Sequence, residues 1–249
     1  MSDLSFPLLA AVIATFFVAG IVKGVTGMGL PTVAMAVLGA LLSPLAAASL
    51  LLVPSFVTNG WQLLAGPRFI PLLRRLWPMM LAIVAGTVGG ASWLTRGDSR
   101  VTTVALGLAL VLYSGYTLFA RQLRVPPRLE WWLSPMVGAL TGLITGGTGV
   151  FVIPAVPYLQ ALGFEKDELV QVLGLSFTVS TIALAVGLGA RNVLQPGTVV
   201  LSALAVVAAL GGMRAGQIVR SRISATTFRR GFLVCLLLLG AEMAVRPLL

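Results

Sequence analysis

Histidine is absent from this chain, and cysteine occurs once, at Cys235. An internal disulfide and a cysteine or histidine metal cluster are therefore excluded, and no cofactor is expected. Acidic residues are nearly as scarce. Asp3, Asp98, Glu130, Glu165, Asp167, Glu168 and Glu242 are the full set, and all fall in loops or near the ends of apolar segments. A proton relay in a membrane draws on buried Asp, Glu or His, and none is visible. An intramembrane enzyme would have little for acid–base or metal chemistry beyond Lys23 and a hydroxyl. Charged residues make up 10% of the 249, and 58% are hydrophobic. Soluble domains carry about 25% charge. With a mean hydropathy of +1.01, the chain reads as an all-α integral membrane protein with small loops.

What charge there is leans one way, to a net +10. The basic residues are scattered over short loops, which is how topology signals are distributed, and nucleic-acid binding is not expected. Apolar segments fall at about 6–23, 28–42, 44–66, 71–95 and 101–120, then 131–145, 148–163, 168–190, 196–218 and 228–246. Ser43-Pro44, Gly66-Pro67, Pro126-Pro127 and Gln195-Pro196 mark breaks between them. The second segment of each set of five, at about 15 residues, is short of the roughly 20 needed to span. The N-terminal MSDLSFPLL lacks the basic region of a cleavable signal, so the first segment is expected to be retained.

The two sets of five repeat. Gly20, Gly24, Gly27 and Gly29 recur as Gly138, Gly142, Thr145 and Gly147. Ser55-Phe56 with Gly66 recurs as Ser176-Phe177 with Gly187, Gly89-Gly90 as Gly211-Gly212, and Thr102-Thr103 with Gly107 as Thr226-Thr227 with Gly231. Ordered matches of this kind signal duplication. The expected organisation is a first repeat at 1–120, a linker at 121–130 and a second repeat at 131–249.

Loop charges give the orientation. If the first two segments of each repeat together make an even number of crossings, one side collects Arg68, Arg74, Arg75, Arg121, Arg124, Arg128, Lys166, Arg220, Arg222, Arg229 and Arg230. The other holds Arg96, Arg100, Arg191 and Arg246. That asymmetry is a positive-inside bias, and a single crossing would erase it. Each repeat then crosses an odd number of times, so the repeats are inverted and both termini face away from the cytoplasm. Whether each short pair is re-entrant or two full spans is open. Inverted repeats with broken helices are a transporter architecture, and the tips of the two breaks are expected to meet near the bilayer centre.

The breaks themselves carry the chemistry. The first reads KGVTGMGLP, from Lys23 to Pro31, and Lys23 is the sole charge between Asp3 and Arg68. An ionisable group at membrane depth is a functional candidate; the alternative is a lysine snorkelling to an interface. The second lies in GALTGLITGGTGVFVIP, from Gly138 to Pro154, with no charge between Glu130 and Glu165. Irregular backbone at that depth survives only where it is buried in protein or lines a cavity. Pro31 can begin a helix that points its free N–H groups at the first break, and Gly146, Gly147, Thr148 and Gly149 are expected to do the same in the second. Gly20/Gly24 and Gly138/Gly142 fit helix packing instead. Polar residues in the third segments, Asn59 and Gln62 in one repeat, Ser176 and Ser180 in the other, either face a central cavity or bond their own helix backbone, as Ser55, Thr58, Thr178 and Thr181 can also do. The candidate substrate site is Lys23, Thr26, Gly27, Gly29, Asn59, Gln62, Thr145, Gly146, Gly147, Thr148, Gly149, Ser176 and Ser180. Positive helix ends, hydroxyls and one lysine suit a small anion. Its partners are then that anion and the lipid bilayer, with a homodimer left open.

KGVTGMGLP, TGLITGGTGVFVIP and the following PYLQALGFEKDELVQVLGLSF resemble the TauE/SafE sulfite exporter family of membrane permeases over nearly the whole chain. The resemblance implies a bacterial inner-membrane transporter of small anions such as sulfite, related organosulfonates or carboxylates. It carries over to Lys23, Thr26, Gly27, Gly29, Thr145, Gly147 and Gly149; Thr145 stands where many relatives have glycine. A channel and a non-transporting subunit are the other readings. In a Cys235→Ala background, single cysteines at Arg124 and Asn192 should react with an impermeant thiol reagent from opposite sides. Labelling of both from one side would remove the inverted topology.

Overall fold

In a computed structural model, the described residues are 6–119, 124–194, 196–220, 222 and 224–248. Asp3, Arg121 and Gln195, invoked above, lie outside them. The described residues form ten α-helices and no strand: α1 (Phe6–Thr26), α2 (Leu30–Leu41), α3 (Pro44–Leu64), α4 (Phe69–Arg96), α5 (Ser99–Phe119), α6 (Pro127–Thr148), α7 (Ala155–Ala161), α8 (Lys166–Gly189), α9 (Pro196–Arg220) and α10 (Ala225–Val245). α1, α3, α4, α5 and the stretches Asp167–Gly189 and Leu201–Arg220 are long and apolar enough to cross a membrane. The protein is an all-α membrane protein. α2, at 12 residues, reaches about 18 Å at 1.5 Å per residue, well short of a bilayer core of roughly 30 Å.

Proline sets several helix starts, because a first-turn residue has no intrahelical partner for its N–H. Pro44 follows Ser43, whose Oγ accepts the Ala46 N–H at 3.2 Å. Pro31 and Pro127 occupy the first turns of α2 and α6. At α8 the Glu165 N–H donates to Glu168 Oε2 at 3.3 Å, closing the first turn.

The main pairings are α4 with α6, α1 with α9, α5 with α10 and α3 with α8, followed by α4 with α8 and α3 with α9. α1 and α9 run the same way, Gly20 lying against Ala209 and Gly24 against Met213. α6 and α4 also run together, Gly138, Gly142 and Gly146 meeting Met79, Ile83 and Thr87. α3 and α8 run opposite ways. The last turns of α3 meet the first turns of α8 through Gln62 to the Val170 carbonyl and Gln171 to the Leu63 carbonyl, while Ser49 to Phe56 share a crevice with Thr181 to Val186. α5 and α10 are also antiparallel: Gly107 faces Met243 and Ala244, and Leu110 faces Gly240.

Glycine is what permits the closest of these approaches. A Cβ at Gly20 or Gly24 would overlap a carbonyl oxygen of α9, and one at Gly212 or Gly216 would overlap a carbonyl oxygen of α1. Small-residue packing of this kind stands in for the hydrophobic drive that lipid does not supply. Gly24→Val should therefore abolish the monodisperse peak in detergent size-exclusion chromatography. Gly115→Ala, with no atom within 4 Å of the added methyl, should leave that peak intact.

Candidate functional site

α1 ends where two glycines adopt left-handed backbone, Gly27 at φ 79 and Gly29 at φ 103. Such angles cost a side-chain-bearing residue roughly 1–2 kcal/mol. The Gly27 N–H still reaches the Lys23 carbonyl at 2.8 Å, and the Gly29 carbonyl accepts from Val33 as the N-cap of α2. Between them, Thr26 Oγ1 lies 2.8 Å from the Val22 carbonyl and 2.7 Å from that of Met28, and accepts the Met28 N–H at 3.3 Å. Its hydroxyl is spent on shaping the turn.

One turn before the break, Lys23 is 3% exposed, and its Nζ donates to Asn59 Oδ1 of α3. Asn59 is fully buried, and its Nδ2 has no partner among the described residues. Three residues on, Gln62 Nε2 donates to the Gly27 carbonyl at 3.0 Å and the Val170 carbonyl at 2.8 Å, which ties the break to both α3 and α8. Lys23, Thr26, Gly27, Asn59 and Gln62 thus form one cluster.

The second break repeats this geometry with a constant separation of 122 residues. Thr148 Oγ1 donates to the Ile144 carbonyl and accepts the Val150 N–H, and the Gly149 N–H donates to the Thr145 carbonyl. These are the counterparts of Thr26 to Val22, Met28 to Thr26 and Gly27 to Lys23. Gly149 matches Gly27 in its left-handed backbone, at φ 74. The glycine spacing had aligned the breaks four residues earlier. In the structural register Lys23 is matched by Thr145 and Thr26 by Thr148.

Three expectations are corrected. Gly146, Gly147 and Thr148 close the last turns of α6 and do not begin a new helix; α7 starts only at Ala155, after a non-helical stretch ending at Pro154. The β-branched and aromatic run Val150 to Ile153, followed by a residue with no N–H, resists helix formation there. Gly146 is a packing residue against α4 at Thr87, whereas a Cβ added at Gly147 would lie 3.6 Å from Trp93, an ordinary contact. The tips of the breaks also do not meet. The first is level with Gln62 in the last turn of α3, and Gly149 packs near Ala48 in its first turns. The intervening 14 residues of helix amount to roughly 21 Å.

The second cluster is less polar. Thr145 is fully buried and donates to the Thr141 carbonyl at 2.7 Å, so no hydroxyl proton remains for a ligand. Thr58, Thr178 and Thr181 likewise bond carbonyls four residues back. Ser55, Ser176 and Ser180 differ, because their hydroxyls are buried with no partner among the described residues. An unsatisfied buried hydroxyl costs about 1–3 kcal/mol.

A cavity of about 350 Å³ opens onto the first break, with Val25 to Met28 on its floor and Gln160, Arg220, Thr226 and Arg229 on its walls. Sequence reasoning had assigned these arginines to topology alone. They come from α9 and α10, far from Lys23 in the chain, and no motif links them. Beside the second break lies a larger hollow of about 770 Å³, lined by Gly147 and Thr148 with Gly97, Asp98, Thr102 and Ala105 and otherwise mostly apolar.

Two broken helices joined to full-length apolar helices, with a buried lysine at one break, define a polytopic membrane protein of the transporter type. Residues 12–243 match the family described as Sulfite exporter TauE/SafE, and the chain belongs to it. No curated protein and no solved structure matches the chain.

Gln62→Leu removes both hydrogen bonds that tie the Gly27 carbonyl and the Val170 carbonyl to α3, at about 0.5–1.5 kcal/mol each. A lower thermal unfolding midpoint in detergent would register it; an unchanged midpoint would mean the clamp contributes nothing.

Proposed function

We propose that this protein is a secondary carrier for a small anion, sulfite or a related organosulfonate or carboxylate, that works by alternating access at the two breaks. The observation that carries this reading is Lys23. Its amine is buried, its hydrogen-bond partner is a neutral amide, and no carboxylate is paired with it among the described residues. A buried charge without a counter-charge is costly in a membrane protein. An anion beside Lys23 supplies that charge, and Asn59 Nδ2 offers it a further donor. Ser55, Ser176 and Ser180 add buried hydroxyls on the two helices that cross next to the cluster.

Alternating access rests on the inverted repeats, for which the helix directions are the support. α3 and α8 are antiparallel, as are α5 and α10, while α1 pairs with α9 as α6 pairs with α4. Exchanging the halves maps α1–α9 onto α6–α4, and maps α3–α8 and α5–α10 onto themselves with their two helices antiparallel, as a two-fold axis in the membrane plane requires. The two ends of α3 then lie toward opposite faces, with one break near each. The charge bias of the loops supports a cytoplasmic position for the first break, its cavity and the linker, with both termini outside, and membership of the family supports a bacterial inner membrane.

The test is radiolabelled sulfite flux into proteoliposomes. Wild type should show saturable flux and Lys23→Ala should reduce it at least a hundredfold while keeping its size-exclusion profile. Thr145→Val, whose hydroxyl is committed to the Thr141 carbonyl, should change the half-saturation concentration less than threefold. Flux that does not saturate would indicate a channel, and unchanged flux in Lys23→Ala would remove the lysine from the mechanism.

A further inference from the structure

Resting on the carrier reading above, we propose that Arg220 and Arg229, with Thr226 and Gln160, form an anion-gathering vestibule over the first break that has no equivalent at the second. Its ligand class is a small oxyanion, a sulfite, sulfate or sulfonate group. The cavity lies between α7, α8, α9, α10 and the break, and Arg220 and Arg229 enter it from different helices. No acidic side chain lines it, and neither arginine takes part in an ion pair among the described residues. Arg229 is half-buried, and on the floor the Met28 sulfur lies 3.7 Å from the Tyr113 hydroxyl. Two guanidinium groups sharing a recess repel one another. An oxyanion between them turns that repulsion into two charge-assisted contacts, with Thr226 and Gln160 as neutral donors beside it.

The second half of the chain supplies the comparison. Thr226 matches Thr102 in the sequence repeat, which puts Ala105 where Arg229 stands, and both lie in the hollow beside the second break. That hollow carries Asp98 instead of an arginine pair. An anion approaching the first break meets two positive charges, whereas the hollow beside the second has an almost wholly apolar lining. Charge of one sign lining a recess raises the local concentration of the opposite ion and its capture rate, and salt screens the effect. The vestibule therefore gathers anions from the linker side and passes them down to Thr26 and the lysine beneath.

The experiment compares wild type, Arg220→Gln/Arg229→Gln and Arg220→Lys/Arg229→Lys for radiolabelled sulfite flux in phosphatidylcholine vesicles, with flux measured from each face. In parallel, Thr226→Cys in a Cys235→Ala background is reacted with a charged thiol reagent with and without sulfate. The glutamine variant should raise the half-saturation concentration from the linker side about tenfold, with the difference shrinking at high salt; the lysine variant should keep most of the wild-type value. Sulfate should slow modification of Thr226→Cys, and the glutamine pair should abolish that protection. Sulfite flux that Lys23→Ala abolishes but the glutamine pair leaves unchanged would overturn the vestibule and leave the carrier standing. Protection by sulfate in a protein that carries no sulfite would uphold the vestibule and remove the carrier. An effect of the arginine variants confined to vesicles containing phosphatidylglycerol would assign the recess to a lipid headgroup and overturn the proposal.

Discussion

The contact on which the rest depends is a bare glycine Cα set against a backbone carbonyl. It is made twice, and reciprocally each time. Gly20 and Gly24 of α1 receive the Ala209 and Met213 carbonyls, while Gly212 and Gly216 of α9 receive those of Phe17 and Ile21. Gly142 and Gly146 of α6 take the carbonyls of Ile83 and Thr87, and Gly86 and Gly90 of α4 take those of Ala139 and Leu143. Lipid tails are as apolar as leucine, so helices in a bilayer gain little from merely being apolar; close backbone packing must supply the association. Each helix that leads into a break is fastened in this way to a full-length helix of the other half. Each break is thus held by the half of the chain it does not belong to.

That fastening explains how an ammonium can be kept inside. Lys23 lies one residue before Gly24, so the same zipper that brings α1 onto α9 fixes the height of the lysine. Asn59 provides a dipole and not a charge, and Gln62 locks the carbonyl at the break to α3 and α8. The lysine cannot reach an interface without breaking this set of contacts. Snorkelling, the bland reading of a lone lysine near a helix end, fails on its 3% exposure.

Much of this was legible in the sequence. The ten apolar segments became ten helices, the prolines marked their starts, and Lys23 stood out because no other charge lies near it. The register of the repeat was misread by one helical turn for a definite reason. Glycines recur every four residues through Gly138, Gly142 and Gly146, so a shift of four still matches glycine to glycine. Only the Thr-Gly pairs at 26–27 and 148–149, which take the same hydrogen bonds, separate the two alignments. The depth of the breaks was hidden because sequence gives no axial position for a hairpin tip. The arginines of the cavity were hidden by distance along the chain, since Arg220 and Arg229 meet the first break only through folding.

Matched residue by residue, the two halves differ in the charges and donors they carry near the breaks. Lys23 is matched by Thr145, and Asn59 by Ser180 in the sequence repeat; Arg229 stands opposite Ala105. Each substitution places the stronger donor or the charge in or near the first break. A duplicated frame with equal charge in both halves would hold two anions or repel itself when empty. Charge concentrated in one half needs one counter-ion, and in the proposed carrier the other half would supply the matching scaffold. The glycine zippers are kept in both halves because both breaks must be held. The charges are not, and in the proposed carrier they need not be, because one anion would balance Lys23.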